Sequence, residues 1–316
     1  MAVKAKEKNF ISCVVYLHND EKTVKPFLDQ IITVMEDRFE TYEIICVDDA
    51  CTDHTVDRVK ELVTESEASP VISLIHMSFF QGVEIAMNAG RELAVGDMLY
   101  EFDKCLLDFE ESLITKLYER MLEGYDVVSA APRRGVKLSS RLFYGVYNLG
   151  VRGQAKLRQE RFRILSRRAI NRVGQLNAYI PYRKAMYMNC GLKADVIEYD
   201  NRLLGGSGHD KSERDVRQTL AFDAIILFTN VLEKVSVLIS GVLFAALLAM
   251  LVYLIWSIFS ATRPVEGWLS IMFLLTFGFL MISLMLTLIF KYLELILNMS
   301  FKRERYVVEG IEKLTQ

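Results

Sequence analysis

Two long stretches of this chain carry no charge, and they limit every fold it can adopt. Val235 to Phe259 has no charged residue in 25 positions, and Trp268 to Phe290 has none in 23. About 20 helical residues cross a ~30 Å hydrocarbon layer, so each run is long enough to span a bilayer. The competing reading is a buried soluble hairpin, but two adjacent runs of this length are uncommon in soluble cores. The connector Ser260 to Gly267 is short and holds one Arg and one Glu. Lys234 precedes the first run, and Lys291, Lys302, Arg303 and Arg305 come after the second. Basic flanks stay in the cytoplasm, which puts the connector outside. Met1 to Asn9 is charged and does not read as a signal peptide, so the large first part is expected to be cytoplasmic, at a plasma or inner membrane. The expected organisation is a domain over 1–220, a juxtamembrane amphipathic helix over 221–234, two spans within 235–290 (235–259 and 268–290), and a cytoplasmic tail over 291–316.

The remaining 220 residues alternate between β-rich and helical patterns. Ile11 to Leu17 reads as a strand and Val24 to Met35 as a helix. Glu43 to Val47, Val71 to Ile75 and Met98 to Phe102 read as strands, separated by helices over Val56 to Val63 and Gly82 to Ala94. Glu110 to Glu123 reads as a further helix and Asp126 to Ala130 as a further strand. Such alternation predicts an α/β fold, a mostly parallel sheet with helices on both faces. The net charge is −2, which gives no reason to expect nucleic acid as a partner. The five cysteines are odd in number and lack Cys-x-x-Cys spacing, so neither a disulfide framework nor a zinc knuckle is indicated. Lys137 to Val151 and Ala221 to Glu233 are patterned as helices that could lie in the headgroup layer. For the first, a core-facing helix fits equally well.

The second strand stops at Asp48-Asp49, and a polar turn, Ala50 to Thr55, leads to the next helix. Ligands of open α/β sheets bind beyond the carboxyl ends of strands. Carboxylates placed there can meet a base, a ribose or metal-bound water. Taken alone the pair also suits a solvated turn, with Asp53 or Thr52 capping the helix.

The wider pattern resembles a known family. The order is Tyr-Glu-Ile-Ile-x-Val-Asp-Asp-x-x-Thr-Asp-x-Thr at 42–55, then Gln81-Gly82, Asn88-Ala-Gly90, Gly96-Asp97 and Glu101-Phe-Asp103. Phe162-Arg163-Ile-Leu-Ser-Arg-Arg168, Arg202-Leu-Leu-Gly205, the two spans and Arg305-Tyr-Val-Val308 come next. This is similar to family 2 glycosyltransferases of GT-A fold, of the polyprenyl-phosphate type that includes dolichol-phosphate mannose synthase and bacterial undecaprenyl-phosphate glycosyltransferases. The resemblance implies inverting transfer of a sugar from a nucleotide sugar, most simply UDP-linked, to a membrane polyprenyl phosphate such as undecaprenyl phosphate, for cell-surface polysaccharide synthesis or modification. The acceptor oxygen of such a phosphate is already an anion and needs no strong base. The leaving diphosphate needs positive charge, usually a divalent metal held by carboxylates.

By this resemblance Asn19, Asp20, Asp48, Asp49 and Gln81 lie at the nucleotide, with Asp49 facing the base. Glu101 and Asp103 hold Mg²⁺ or Mn²⁺. Asp103, Arg163 and Arg202 are catalytic, the two arginines approaching phosphates. Arg133, Lys137, Ser140, Arg141 and Ser207 meet the lipid phosphate; a solvated basic face is an equal reading for this group. The expected partners are nucleotide sugar, polyprenyl phosphate and the lipid bilayer, with a homotetramer by analogy, the tail from Arg303 onward exchanging between neighbours. The chain departs from the pattern in placing Glu101 where an Asp is usual, which moves the carboxylate by about one C–C bond, ~1.5 Å. Lys104-Cys-Leu-Leu-Asp108 also replaces the usual continuation. Two alternatives stay open: an enzyme with another lipid or glycan acceptor, for which Asp108 or Glu160 could be the base, and a degenerate domain that binds and regulates without catalysis.

Overall fold

A computed structural model of the chain describes residues 5–65, 71–133, 158–175, 183–201 and 306–314, the backbone of 268–300, and a few isolated positions between. Arg202, Lys137, Ser140, Arg141, Ser207, the helices expected over Lys137–Val151 and Ala221–Glu233, and nearly all of the first uncharged run lie outside the described residues.

The strand–helix alternation produces one eight-stranded sheet. In chain order the elements are β1 (Ile11–Leu17), α1 (Val24–Arg38), β2 (Tyr42–Asp48), α2 (Thr55–Glu65), β3 (Ile72–Met77), α3 (Val83–Leu93), β4 (Met98–Phe102), α4 (Ser112–Leu122), β5 (Val127–Pro132), β6 (Phe162–Ser166), α5 (Arg167–Gln175), α6 (Arg183–Asn189), β7 (Ala194–Tyr199), α7 (Trp268–Ser300) and β8 (Val308–Leu314). The sheet order is β7-β5-β6-β4-β1-β2-β3-β8. β1 pairs in parallel with β2 and β4, β2 with β3, and β5 with β7. β6 runs antiparallel between β4 and β5, and β8 antiparallel on β3.

β1 is central and fully buried, as a continuous apolar strand covered on both faces must be. Its period of two divides the core. Ile11, Cys13, Val15 and Leu17 face one side with α1, α2 and α4 residues such as Phe27, Leu62 and Tyr118. Val14 and Tyr16 face the other with Met87 of α3, Val173 of α5 and Tyr187 of α6. Two of the motif glycines serve this packing. A Cβ at Gly90 would lie 2.3 Å from Val14 Cγ1 and 2.8 Å from Val47 Cγ2, so α3 reaches the sheet only because Gly90 has none. A Cβ at Gly96 would lie 2.7 Å from Ser12 N, and Asp97 accepts a hydrogen bond from Phe10 N at 2.9 Å, which ties this turn to the start of β1.

The carboxyl end of the chain differs from expectation. Residues 308–314 are not a free tail; they are the edge strand β8, in register from Ile72↔Leu314 to Met77↔Val308 with an irregularity at His76/Met77. Its position directly after a basic run gives the stretch the look of a tail, but its alternating exposure shows the strand period of two. Gln81 holds the strand's entry: its Nε2 donates to Val307 O at 2.7 Å and its Oε1 accepts from Val307 N at 3.0 Å. This strand lies within the tail that was expected to exchange between neighbours.

The second uncharged run lies on one continuous helix, α7, of 33 residues, about 50 Å at the usual rise. Many of its side chains lie outside the described set. Among the described residues no helix is long and apolar enough to cross a membrane.

Gly90→Ala tests the seating of α3. Helix propensity favours Ala by about 1 kcal/mol, but overpacking a close-packed core costs about 1–3 kcal/mol. With both obstructing atoms on central strands, the steric cost wins. Urea unfolding should show a net loss of stability; a gain would mean α3 lifts freely from the sheet.

Candidate active site

The order β4-β1-β2-β3 reverses direction in the chain between β1 and β4, and a crevice at such a point lies beyond the strands' carboxyl ends. Two segments meet there: His18-Asn19-Asp20 after β1, and Asp103-Lys104-Cys105 after β4. Cys105 Sγ approaches Tyr16 O at 3.7 Å and links them. Asn19 (φ 54°) and Ala50 (φ 53°) both adopt left-handed backbone, which costs a residue with a Cβ roughly 1–2 kcal/mol. Such strain persists where surroundings over-determine it, often beside ligands. Here Asn19 Oδ1 accepts from Thr52 N at 2.8 Å, which locks the loop after β1 to the loop after β2.

The acidic residues expected at the nucleotide are mostly builders of this crevice. Asp49 is buried and accepts from Gln81 N, Gly82 N and Tyr16 Oη, each at 2.8 Å. Burial raises its pKa, and these bonds oppose the rise. It stitches β2 to the start of α3 instead of presenting oxygens to a base. Asp48 accepts from Cys51 N at 2.9 Å and lies 2.9 Å from His76 Nδ1. Asp20 turns the chain into α1: its carbonyl accepts from Val24 N, and its Oδ2 from His18 N at 3.2 Å. Burial pushes its pKa up as well. The Gln81 side chain is engaged by Val307. Asn19 stays exposed at the rim, beside the tilted ring pair His18 and Phe80, whose centroids are 4.6 Å apart.

The carboxylates expected to hold metal are engaged differently. β4 ends at Phe102, so Glu101 lies inside the sheet, opposite Arg163 in the β4–β6 ladder. Both are fully buried. Arg163 Nη1 donates to Glu101 Oε2 and its Nη2 to Asp103 Oδ2, both at 2.8 Å. Arg183 of α6 bridges the same pair, Nη1 to Glu101 Oε2 at 2.8 Å and Nη2 to Asp103 Oδ1 at 2.9 Å. Tyr187 Oη donates to Glu101 Oε1 at 2.7 Å, and Lys184 Nζ lies 3.0 Å from Asp103 Oδ2. Every oxygen of the two carboxylates is therefore filled by protein donors.

The surrounding charges complete the balance. Glu84 of α3 accepts from Arg183 N at 2.9 Å and Nε at 3.1 Å. Glu160 Oε2 lies 3.2 Å from Arg163 Nε, and Arg91 Nη1 donates to Tyr187 Oη at 3.1 Å. Four carboxylates (Glu84, Glu101, Asp103, Glu160) thus face four cations (Arg91, Arg163, Arg183, Lys184), all buried. Burial alone would raise the pKa of Asp103, but Arg163, then Lys184 and Arg183, hold it well below the usual carboxylate range. Burial and then Glu101 push Tyr187 up to about 12.

This arrangement does not fit a divalent ion. Mg²⁺ requires near-octahedral oxygen at about 2.0–2.1 Å. Here the oxygens are consumed by donors, and three cations flank the pair. A carboxylate spacing that began at the strand end would use Asp103 and residue 105, and residue 105 is a buried cysteine whose thiol pKa is pushed well up by burial. Among the described residues no group of three or more His, Cys, Asp or Glu could hold a metal ion. Arg163, expected to approach phosphates, is sealed in the interior with zero exposure. Arg133, expected at the lipid phosphate, is exposed but paired with Glu198 at 3.5 Å and Asp200 at 3.2 Å. Sequence reading missed Glu84, Arg91, Arg183, Lys184 and Tyr187. The available signal was Glu84, Asn88 and Arg91, polar groups recurring on one face of an otherwise buried helix.

The family model for glycosyl transferase family 2 matches residues 12–189. The chain belongs to glycosyl transferase family 2. The matched region runs from β1 to α6 and so includes both crevice loops and the whole charge cluster. The glycosyltransferase is 26% identical over 273 residues to the uncharacterized glycosyltransferase sll0501 of Synechocystis sp., covering 84% of each chain. It is 27% identical over 123 residues to an undecaprenyl-phosphate 4-deoxy-4-formamido-L-arabinose transferase of Aeromonas hydrophila, covering 39% of this chain and 37% of that one. Among solved structures it is similar to glucosyl-3-phosphoglycerate synthase from Mycobacterium tuberculosis in complex with Mn²⁺, UDP and phosphoglyceric acid, with TM-score 0.48, 17% identity and coverage of 67% and 76%.

Three variants test the cluster. Arg183→Met leaves Glu84, Glu101 and Asp103 short of a partner, and uncompensated buried charge costs about 3–5 kcal/mol. Urea unfolding should show a loss of that size, with Arg183→Lys intermediate; loss under about 1 kcal/mol would place the group in water instead. Asp103→Asn tests the titration. A carboxylate whose folded pKa is depressed stabilises above its unfolded value of ~3.9, and that stability is lost as pH falls through the folded value. The stability difference between wild type and Asp103→Asn should be constant from neutral pH to about 5 and shrink below about 4. A difference that shrinks nearer neutrality would mean Asp103 is not held by its cations.

Proposed function

We propose that this enzyme transfers a sugar from a nucleotide sugar, UDP-linked in the simplest reading, to a membrane polyprenyl phosphate. The observation that carries the choice of acceptor is the burial of two candidate bases among the described residues. A neutral hydroxyl acceptor must lose a proton, and Asp108 and Glu160 are the two carboxylates considered above for that step. Asp108 is buried, accepting from Arg161 Nε at 3.1 Å and Tyr199 Oη at 2.9 Å. Glu160 is buried beside Arg163. Both lie in the interior, so neither presents an oxygen to an acceptor. A phosphate brings its own anionic oxygen. That oxygen attacks the anomeric carbon, the bond to the nucleoside diphosphate breaks with inversion, and no proton has to move. The polyprenyl-phosphate acceptor named for the Aeromonas relative agrees with this.

The protein's contribution is then positioning and charge. The crevice between the β1 and β4 loops would hold the donor, its walls fixed by the Asn19–Thr52 and Asp49–Gly82 links. The two uncharged runs would anchor the enzyme as a hairpin in the bilayer, so that lipid phosphate and soluble donor meet at headgroup level. Arg202 and Ser207, with Lys137, Ser140 and Arg141, would receive the lipid phosphate.

Purified full-length enzyme in mild detergent, given labelled UDP-sugars with either undecaprenyl phosphate or diacylglycerol, checks this reading. Label should enter the organic phase only with the phosphate acceptor. Transfer to diacylglycerol would refute the phosphate reading, and no transfer from any nucleotide sugar would favour a binding protein. Arg202→Lys should slow transfer about ten- to a hundredfold, the effect of losing one charge-assisted hydrogen bond in the transition state, with nucleoside diphosphate affinity unchanged by calorimetry.

A further inference from the structure

We propose that the carboxylates at the end of β4 bind no divalent cation, because the guanidinium groups of Arg163 and Arg183 and the ammonium of Lys184 occupy the place such an ion would take. The inference rests on family membership and on the geometry of the cluster, and does not depend on which donor or acceptor the enzyme uses.

Three observations carry it. First, Arg163 and Arg183 each span the same two carboxylates, one nitrogen on Glu101 and the other on Asp103. A metal bridging those carboxylates would have to displace both forks. Second, the displaced groups have nowhere to go. Arg163 and Arg183 are fully buried, and Arg183 is also held by Glu84 at its backbone and side chain. A guanidinium stays charged at any working pH, so it cannot vacate the oxygens by losing its proton as a lysine can. Third, the cluster is already neutral, with four carboxylates against Arg91, Arg163, Arg183 and Lys184. A dication entering it would meet three flanking cations in a medium where water screens little.

The neighbouring chain fits the same picture. The second position past Asp103 is Cys105, buried with its sulfur on Tyr16 O. Protein cations and a cysteine therefore stand together where a carboxylate pair would have to open toward an ion. Of the two carboxylates only Asp103, 9% exposed, reaches the crevice, and its two oxygens carry three donors. The cluster acts as a structural hub that ties β4, β6, α3 and α6 together. Positive charge for the leaving diphosphate has to come from other protein groups or from an ion carried by the nucleotide itself.

The test titrates chelator-stripped full-length protein into Mn²⁺ alone and follows the free-ion electron paramagnetic resonance signal. The free signal should not fall, and the thermal midpoint should be the same in Mn²⁺ and in EDTA. A stoichiometric fall that is lost in Asp103→Asn would overturn the proposal. UDP affinity, measured by calorimetry with Mn²⁺ or with EDTA, gives a second reading. Agreement within about twofold supports the proposal. So does an Mn²⁺ enhancement that persists in Asp103→Asn, since the ion then travels on the diphosphate. An enhancement that vanishes in a folded Asp103→Asn protein would overturn it. Neither measurement uses an acceptor, so a failed transfer assay leaves the result standing.

Discussion

The double bridge from Arg163 and Arg183 to Glu101 and Asp103 is the contact on which the catalytic half of the molecule depends. Four elements enter it: β4 through Glu101, β6 through Arg163, α3 through Glu84 and α6 through Arg183. Opposite charges so deep in the fold are costly to desolvate, and the arrangement persists because carboxylates and cations balance and Glu101 and Asp103 have every oxygen engaged. Their separation would strand charge in the core. That requirement ties β6 and α6 to β4.

The consequence for chemistry is a rigid wall. Polar residues at the carboxyl ends of β1 and β2 are knitted to one another in the same way, Asp49 to α3 and Asn19 to Thr52. Residues that look reactive in isolation are used to hold the crevice in shape. Among the described residues, those at the rim are Asn19, the His18–Phe80 ring pair and the edge of Asp103. An enzyme whose acceptor is itself an anion can work with such a site, because it needs alignment and charge more than proton transfer.

The edge strand β8 links this domain to α7. Gln81 grips Val307 directly beside the residues that bond Asp49, so the entry of β8 and the crevice share a wall. β8 covers the edge of β3 and becomes the outermost strand itself, with Glu309, Glu312 and Lys313 as the charged side chains that discourage pairing with other molecules.

Strand and helix positions from β1 to β5 were legible in the sequence, because continuous apolar strands and amphipathic helices leave a periodic trace that survives without tertiary context; β6, α5, α6, β7 and β8 were not read from it. Ile11 to Leu17, the acidic strand ends and the family pattern through Gly90 and Gly96 could be read directly. The two uncharged runs are equally plain, since length without charge is a property of the sequence itself. The partners of the charged residues were not legible. Glu101 and Asp103 have the spacing of a metal motif, and no local feature says that Arg163, some 60 positions later, and Arg183 beyond it will fill their oxygens. Asp49 likewise looks like a ligand group until the start of α3 is brought against it. Charge is written in the sequence residue by residue, but whether a charge faces solvent, an ion or another side chain is decided only when distant segments pack, because burial and pairing are properties of the assembled fold.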